Sequence, residues 1–376
     1  MNKSSYRTWF LLALIVSLLT LLVLVISEIY LAGVFKTHGQ DFANDKRRYI
    51  NLRELTPSTV NRAMIVVDGE FRTNKISTDE NGFIEPSIFH DDPEFKLAFF
   101  GGSTTAGINI EAENKYPYLV GRQLESLTGR RINSINASRS ANNAMHSNIN
   151  FLVKIMKFRP DIVVMMHNIN DLILLSSVGS YWSENAGKHR LILNFSDTRY
   201  SRDWSLLQTI KNMLIPYTWN FVMTRLRAVP TVYKEIYPRP IGPPIEGWED
   251  YPISEKDKVI AKNFAEALTV FINIAKSFGV VPVLMTQPIR RPNAKPTSSD
   301  DAILQTKRNL AMHAYLNVVI RELGIQKNVL VIDLETFFIS RSDRTKLFYD
   351  MVHYTNAGSR LIAEQVTKQL LPFLQQ

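Results

Sequence analysis

The chain of 376 residues has no cysteine, which excludes a disulfide scaffold, a zinc–thiolate site, an iron–sulfur cluster and a cysteine nucleophile. The compartment stays open, because a large core is stable in an oxidising environment without disulfides. The sequence also lacks internal repeats and low-complexity tracts. With 45% hydrophobic and 10% aromatic residues, it has the composition of a globular protein. Its length suits one large α/β domain or two small ones.

Charged residues are missing from a run of 19 near the N-terminus, Trp9 to Ser27, which consists mainly of Leu, Val and Ile. A helix of about 20 such residues crosses a bilayer core. A cleavable signal peptide is one alternative, since Ala32-Gly33 resembles a cleavage site, but its apolar stretch is usually only about 7–15 residues long. A buried core helix is another, but no polar stripe interrupts the run. We predict a membrane anchor within residues 1–35.

The basic residues around this segment do not decide its orientation by number, because they lie on both sides of it. A short basic tail before the first hydrophobic segment usually stays in the cytoplasm, and here it carries Lys3 and Arg7. This predicts a single-pass inner-membrane protein whose following domain is periplasmic in a Gram-negative bacterium. In the juxtamembrane extension, residues 36–95, turn signals at Asp68-Gly69 and Asn81-Gly82 predict irregular structure with a short strand pair.

From residue 96 to residue 376, short apolar strands without polar alternation are separated by helical patterns. This arrangement predicts a parallel sheet covered by helices on both faces, with ligands bound where the strands end. The predicted strands are Leu97–Phe100, Ile132–Ile135, Asp161–Met166, Val280–Thr286 and Val329–Leu334. The predicted helices are Tyr116–Leu127, Met145–Phe158, Glu255–Phe278, Asp300–Leu323 and Asn356–Leu374.

The alternation breaks down at about residues 172–254, a segment rich in tryptophan and basic residues. From Trp182 to Pro244, nine Lys and Arg face four acidic residues, so over half of the net charge of +9 lies here. Three interpretations stay open: an insertion packed on the main domain, a surface that binds an acidic glycan, and a membrane-facing patch that includes an amphipathic helix within Ser205–Arg227. The segment holds four of the five tryptophans, Trp182, Trp204, Trp219 and Trp248.

Three polar clusters stand where strands end or the last helix begins. Gly101-Gly102-Ser103 places a serine on a tight turn at a helix start, where backbone N–H groups favour negative charge. After the strand ending at Met166, the amide of Asn170 can donate to an oxyanion without changing its own charge. The spacing of Asp350 and His353 lets the carboxylate orient the imidazole. Each cluster alone is also explained by a polar turn, a capped helix or a surface ion pair.

A serine, an amide donor and Asp-x-x-His in this order resemble the SGNH/GDSL hydrolase superfamily, from about residue 96 to the C-terminus. The resemblance implies a flavodoxin-like three-layer α/β/α sandwich, ester cleavage, and no cofactor or metal. It implies Ser103 as the nucleophile, His353 as the general base and Asp350 as the partner that orients it. It also implies an oxyanion hole formed by the Ser103 N–H, the Ser138 N–H and the Asn170 side chain.

Two positions depart from the family pattern, because Ser138 and Asn168 stand where family members have glycine. Asparagine tolerates the left-handed backbone region better than most residues, so we expect Asn168 to take over the glycine's conformation. Serine has the required N–H but adopts a positive φ less cheaply than glycine. The neighbouring His167 is predicted to be a buried packing histidine rather than part of the site. The departures remove no reacting group.

These residues predict a membrane-anchored serine esterase that removes O-acetyl or other acyl groups from an envelope polysaccharide or lipid through an acyl-serine intermediate. An O-acyltransferase forms the same intermediate and stays an alternative. The other alternative is a catalytically silent domain that binds a glycan or a partner protein, which the two departures suggest. Nucleic acid is not a predicted partner, because the basic residues form no dense run.

Overall fold

A computed structural model describes residues 3–37, 51–55, 57–67, 70–183, 185–193, 214–215, 217–219, 221–222, 231–233, 245–290 and 299–375. The chain divides into two compact units, Met1–Leu52 with Ile192–Thr231 and Arg53–Leu191 with Val232–Gln376. The second unit contains the parallel sheet. This unit begins at Arg53, which is upstream of residue 96, where the sequence analysis places the start of the hydrolase-like domain.

The strands and helices of the described residues are numbered here along the chain. The strands are β1 (Asn51–Leu52), β2 (Val60–Val67), β3 (Glu70–Ser77), β4 (Phe95–Gly101), β5 (Ile132–Asn136), β6 (Ile162–Met166), β7 (Ile192–Leu193), β8 (Thr231–Tyr233), β9 (Val281–Met285) and β10 (Leu330–Ile332). The helices are α1 (Lys3–Thr37), α2 (Ser103–Ala106), α3 (Tyr116–Thr128), α4 (Ala144–Asn150), α5 (Ile169–Val178), α6 (Glu255–Ser277), α7 (Asp300–Lys327), α8 (Leu334–Ile339) and α9 (Asn356–Leu374).

The first unit is built on α1. Its stretch Thr8–Val34 has a mean hydropathy of 3.0 and is, among the described residues, the one helix long and apolar enough to cross a membrane. The strands β1 and β7 of this unit pair antiparallel. The predicted apolar helix is therefore present, and by length and composition it suits a membrane span.

Five parallel strands form the central sheet of the second unit, in the order β10-β9-β6-β4-β5. Numbered along the chain and read from the β5 edge, this order is 2-1-3-4-5, which is the flavodoxin-like order. The predicted parallel α/β sheet is confirmed. In such sheets the ligand crevice lies beside the first strand, where the strand order reverses, and here β4 and β6 flank that position.

Side chains that alternate along the strands build a core on each face of this sheet. Ala98 and Phe100 of β4 point to one face and are buried with side chains of α4, α5, α6 and α7. Leu97 and Phe99 point to the other face and are buried with side chains of α3, α8 and α9. Strands buried on both sides explain why the sequence shows continuous apolar runs rather than polar alternation. The result is the predicted three-layer sandwich.

Two regions differ from the predicted pattern. The helix predicted from Met145 to Phe158 is α4 followed by a π-helical turn and a 3-10 turn, and it ends at Arg159 with a φ of 49°. In the extension, β2 and β3 pair antiparallel over their full length, so the strand pair is longer and more regular than predicted. Asp68-Gly69 and most of the helix expected within Ser205–Arg227 lie outside the described residues.

Candidate active site

Ser103 stands at the start of α2, two residues after β4 ends. The two residues before it have to be glycines, because any side chain there would collide with neighbouring atoms. A Cβ on Gly101 would lie 2.0 Å from Oγ1 of Thr105, and a Cβ on Gly102 would lie 2.3 Å from Nδ2 of Asn170. The glycines thus bring the serine and the asparagine amide to one place. The first N–H groups of a helix lack acceptors within it, so the Ser103 N–H is available to a ligand.

His353 connects the serine to a carboxylate. Its Nε2 lies 2.7 Å from Oγ of Ser103, and its Nδ1 lies 2.7 Å from Oδ2 of Asp350. The other oxygen of Asp350 accepts the N–H groups of Val352 and His353, both at 2.8 Å. The structure therefore assembles the three residues of the predicted triad, although 250 positions separate the serine from the histidine.

The Asp350 carboxylate is stabilised in its charged form. Burial by itself would raise its pKa, but the hydrogen bonds and charge of His353 and the backbone N–H groups outweigh burial and lower it. A carboxylate that stays ionised keeps Nδ1 of the imidazole protonated and leaves Nε2 to accept the serine proton. The electrostatics of the pair thus suit a histidine that acts as a general base.

Asn170 lies in the first turn of α5, directly after β6. Its Nδ2 donates a hydrogen bond to the carbonyl oxygen of Asn142, 2.8 Å away. An amide nitrogen carries two N–H bonds, so one fixes the side chain and the second is left for a ligand. Because Gly102 adjoins the same nitrogen, the free N–H lies next to Ser103.

Ser138 is buried after β5, and its N–H and Oγ both donate to Oδ1 of Asn136, with the nitrogen 3.3 Å away. This engagement counts against Ser138 as an oxyanion donor. The left-handed position in this loop is Ala141, with a φ of 63°, in a turn closed by a 3.0 Å bond from the N–H of Asn142 to the carbonyl of Arg139. Such a turn favours glycine at this position. Sequence reasoning missed Ala141, because alanine carries no signal for a positive φ.

Arg53 was also missed, since a single arginine in the extension has no recognisable pattern. Its Nε donates to Oδ1 of Asn142 at 3.2 Å, and its Nη2 donates to the carbonyl of Ser140 at 2.9 Å. Burial, and secondarily the charge of Arg139, lower the pKa of Arg53 to about 10. Arg53 therefore stays charged near neutrality. It holds both sides of the turn that contains Ala141.

Gln287, after β9, joins the loops on either side of the site. Its Nε2 donates to Oγ1 of Thr104 at 3.1 Å, and its Oε1 accepts the N–H of Ile169 at 2.9 Å. Its own N–H and carbonyl bind the side chain of Asn317 in α7. Since Thr104 and Ile169 adjoin Ser103 and Asn170, this buried network fixes the nucleophile and the amide donor relative to each other.

The expectation that Asn168 takes a left-handed conformation is wrong. Its φ is −173°, which is extended backbone that any residue adopts. Its side chain is buried, and Nδ2 donates to the carbonyl of His313 and to Oδ1 of Asn317, both at 2.9 Å. Asn168 therefore links β6 to α7 and has no glycine-specific conformation to supply.

His167 is part of a second Ser–His–Asp set that is closed to solvent. Its Nε2 lies 2.8 Å from Oγ of Ser147, and its Nδ1 lies 3.6 Å from Oδ2 of Asp171. All three residues are at most 2% exposed. Burial, and then the charge of His146, lower the pKa of His167 to about 3. The prediction of a packing histidine is confirmed. This set differs from Ser103 and His353 in that it is closed to solvent, whereas they are partly exposed.

Within the described ranges, no group of three or more His, Asp and Glu residues could hold a metal ion. The site as described consists of a serine, an imidazole, a carboxylate and amide donors. Such a set performs nucleophilic acyl transfer with its own side chains.

Comparison with known proteins gives a family match. The sequence model of the GDSL-like lipase/acylhydrolase family matches residues 99–361, which include Ser103, Asn170, Asp350 and His353. No curated protein matches the chain significantly.

Several solved structures resemble the chain at low sequence identity. The lipase/acylhydrolase from Enterococcus faecalis is 17% identical, with a TM-score of 0.42, over 74% of this chain and 96% of that one. The acetyl xylan esterase AlAXEase is 16% identical, with a TM-score of 0.42, over 73% of this chain and 100% of that one. The acetylxylan esterase Axe2 from Geobacillus stearothermophilus is 13% identical, with a TM-score of 0.40, over 74% of this chain and 94% of that one.

Proposed function

The chain belongs to the GDSL-like lipase/acylhydrolase family and is a serine ester hydrolase, and we propose that it uses Ser103 to remove acyl groups from an envelope polysaccharide or lipid. The observation that carries the assignment of the nucleophile is the 2.7 Å contact between Nε2 of His353 and Oγ of Ser103, with Asp350 on the other ring nitrogen. The fold supports it, because Ser103 and Asn170 follow the two strands that flank the ligand crevice.

In the acylation step, His353 takes the proton from Ser103 while Oγ attacks the ester carbonyl carbon. The negative charge that develops on the carbonyl oxygen is bound by the Ser103 N–H and the second N–H of the Asn170 amide. The Ala141 N–H, which has no acceptor within the described residues, is the third donor. The tetrahedral intermediate then collapses, the C–O bond of the alcohol breaks, and the imidazolium returns its proton to the leaving oxygen.

In the deacylation step, His353 takes a proton from water, and the resulting hydroxide attacks the acyl-serine. The second tetrahedral intermediate expels Oγ, which regains its proton from the imidazolium. The products are the free acid and the regenerated serine. Asp350 stays ionised throughout and stabilises the imidazolium in both steps.

Labelling and turnover with the full-length protein test this assignment. We expect a fluorophosphonate probe to modify Ser103 and a chromogenic acetyl ester to be hydrolysed, and we expect both signals to disappear in Ser103→Ala. Ser277→Ala is a matched control. Ser277 is exposed at the end of α6, just before β9, and so lies near the amino ends of the parallel strands, whereas the site lies at their carboxyl ends. If neither wild type nor Ser103→Ala hydrolysed the ester above its uncatalysed rate, the domain would be catalytically silent, and equal turnover above that rate would exclude Ser103 as the nucleophile.

For the location of the enzyme, we propose that α1 remains in the mature protein as an inner-membrane anchor, with the hydrolase domain in the periplasm. The length and hydropathy of Thr8–Val34 support this proposal. The absence of cysteine makes single-cysteine labelling direct. In intact spheroplasts we expect an impermeant maleimide to label Leu304→Cys, which is exposed on α7, whereas Ser4→Cys needs permeabilised cells. The reverse pattern would place the domain in the cytoplasm.

A further inference from the structure

A segment of the tryptophan-rich insertion binds the membrane-anchor helix within the first unit. It comprises residues 214–222, of which the structure describes 214–215, 217–219 and 221–222. The carboxylate of Glu28 in α1 accepts the N–H of Tyr217 through Oε1 and the N–H of Thr218 through Oε2, both at 2.8 Å. Oγ of Ser27 lies 3.0 Å from Oγ1 of Thr218. The contact joins residues 190 positions apart.

Glu28 acts on this segment as a helix cap. Residues 217–219 are helical, and the first N–H groups of a helical turn have no partner within it. A carboxylate that accepts two of them makes charge-assisted hydrogen bonds, which are about twice as strong as neutral ones. The one acidic residue of the apolar stretch Thr8–Val34 is therefore used to hold a distant segment.

The contact lies on one face of α1. Leu24, Ser27, Glu28 and Leu31 are partly or fully withdrawn from solvent, and their spacing of three, one and three residues is that of one helix face. By contrast, Ile29 is 69% exposed on the other side of the same turn. Among residues 8–34 the covered face begins only at residue 24, so the contact is confined to the carboxyl-terminal half of the helix.

The position of Glu28 along α1 sets the depth of this contact. At 1.5 Å per residue, the uncharged residues from Trp9 to Ser27 span about 28 Å, close to the ~30 Å of a bilayer's hydrocarbon core. Glu28 then lies at the boundary between hydrocarbon and headgroups, and so does the segment that it holds. A carboxylate is costly in hydrocarbon unless it is paired, and the two N–H groups supply the partners.

The segment has the surface that this boundary favours. Leu214 is 69% exposed, Val222 is 40% exposed and Phe221 is 37% exposed. Trp219, which is partly exposed, has the kind of amphipathic ring that concentrates at membrane–water interfaces. The exposed apolar side chains are attached, through Glu28, to a helix whose own apolar side chains are also exposed.

We infer that the described residues of this segment form an interfacial membrane element, docked on α1 by Glu28 and Ser27, with Leu214, Phe221 and Val222 in contact with lipid. This inference rests on the proposed anchoring by α1. It assigns the membrane-facing role, rather than glycan binding, to this part of the insertion. It also requires that α1 is kept, because cleavage at Ala32-Gly33 would remove the residues that hold the segment.

Disulfide cross-linking of the full-length protein in native membranes tests the docking. The chain has no other cysteine, so Ser27→Cys with Thr218→Cys forms the one possible bridge within a molecule. We expect oxidation to cross-link this pair and to shift its mobility on a non-reducing gel. The matched control is Ile29→Cys with Thr218→Cys, two residues along α1 but on its exposed face, which stays uncross-linked. Failure of the first pair in a protein that retains residue 27 overturns the docking.

Fluorescence quenching tests the lipid contact. Leu214→Cys and Phe221→Cys carry an environment-sensitive fluorophore, with the full chain in phosphatidylethanolamine–phosphatidylglycerol vesicles that contain a nitroxide-labelled lipid. We expect blue-shifted emission and at least twofold quenching at both positions. A fluorophore at Leu304→Cys, exposed on α7, is the control and stays unquenched.

The outcomes separate this inference from the anchoring on which it rests. Cross-linking together with quenching supports it. Cross-linking without quenching overturns the lipid contact and points to a protein-covered segment, while leaving the anchor in place. A mature protein that lacks residue 27, detected by intact mass, overturns the proposed anchor and this inference with it.

Discussion

Nε of Arg53 donates a hydrogen bond to Oδ1 of Asn142, 3.2 Å away, and the carbonyl of the same Asn142 receives the amide of Asn170 at 2.8 Å. An arginine upstream of the family match thus holds the turn that orients the proposed oxyanion donor. Arg53 is one residue past the boundary of the first unit. The hydrolase site therefore depends on chain that precedes the recognisable sequence motifs.

Arg53→Lys should lower kcat about tenfold and leave KM nearly unchanged. A single ammonium cannot bridge Asn142 and Ser140 as the guanidinium does, and a loss of about 1.4 kcal/mol of transition-state stabilisation is tenfold in rate. Steady-state kinetics on a chromogenic ester show the effect on catalysis, and thermal denaturation shows whether the variant is still folded. Arg122→Lys is the control, since Arg122 forms an exposed ion pair with Glu125. A rise in KM at constant kcat would argue for substrate binding instead.

Asn170→Ala should reduce kcat by about 10²–10³, which corresponds to about 2.7–4 kcal/mol for one oxyanion donor. The proposed donor binds charge that develops only in the transition state, so KM should change little. Asn273→Ala, at an exposed position of α6, is the matched substitution outside the site. A fall of less than threefold in kcat would remove Asn170 from the oxyanion hole.

Gly102→Ala should reduce kcat about 100-fold without unfolding the protein, because misplacing a catalytic group by ~1 Å has effects of this size. The new Cβ would lie 2.3 Å from Nδ2 of Asn170, so the amide has to move. A double-mutant cycle gives the sharpest measurement. If the glycine acts through Asn170, the variant with both substitutions is no slower than Asn170→Ala alone. Additive losses would show that Gly102 serves the site by another route.

His313→Leu should make folding stability less sensitive to acid. His313 is buried in α7, neither ring nitrogen has a partner in the described part of the chain, and burial followed by the charge of Arg344 lowers its pKa from 6.5 to about 3. Between those values the unfolded chain binds a proton that the folded chain does not. The histidine therefore costs about 1.4 kcal/mol per pH unit as the pH falls below its unfolded pKa, and nothing above it. The check is the melting temperature of both proteins from pH 7.5 to 5, and parallel curves would contradict it.

Asp171→Asn should also change the pH dependence of folding stability, but Asp171 lowers stability as the pH rises, whereas His313 lowers it as the pH falls. Burial raises the pKa of Asp171 from 3.8 to about 7, against the hydrogen bonds from Tyr181 and the backbone. Between those values the folded chain holds a proton that the unfolded chain has released, so this group makes wild-type stability fall as the pH rises through that window. The amide cannot titrate. The melting temperature of Asp171→Asn relative to wild type should thus increase from pH 4.5 to pH 7.5, and a constant difference would refute the assignment.

Local patterns were sufficient to predict the sheet and to single out Ser103 as the candidate nucleophile. The apolar runs of β4, β5, β6 and β9 mark buried strands, because a strand covered on both faces needs no polar alternation. The carboxyl ends of parallel strands lie at the same end of the sheet, so their positions placed Ser103 and Asn170 near each other, and the family resemblance supplied their predicted roles. Asp350 and His353 are three residues apart, and a short spacing of this kind is visible without a structure.

Other features depend on contacts that sequence spacing does not encode. Ser138 and Asn168 were judged from motif positions, but the backbone torsions place the left-handed residue at Ala141 and leave Asn168 extended. Likewise, nothing in the sequence distinguishes Arg53 from other basic residues of the extension. Its role exists only because the extension packs beside the loop after β5, and only the folded chain contains that contact.

Composition and periodicity predicted an apolar N-terminal helix and a parallel α/β domain, and short motifs predicted the candidate site residues, because each of these patterns involves residues that are close in the chain. The folded arrangement decided which of the two Ser–His–Asp sets is closed to solvent, which loop residue has a positive φ, and what Glu28 binds. Those outcomes depend on burial and on hydrogen bonds between residues that lie far apart in sequence. Such contacts come into being only when the elements pack, so local sequence patterns do not reveal them.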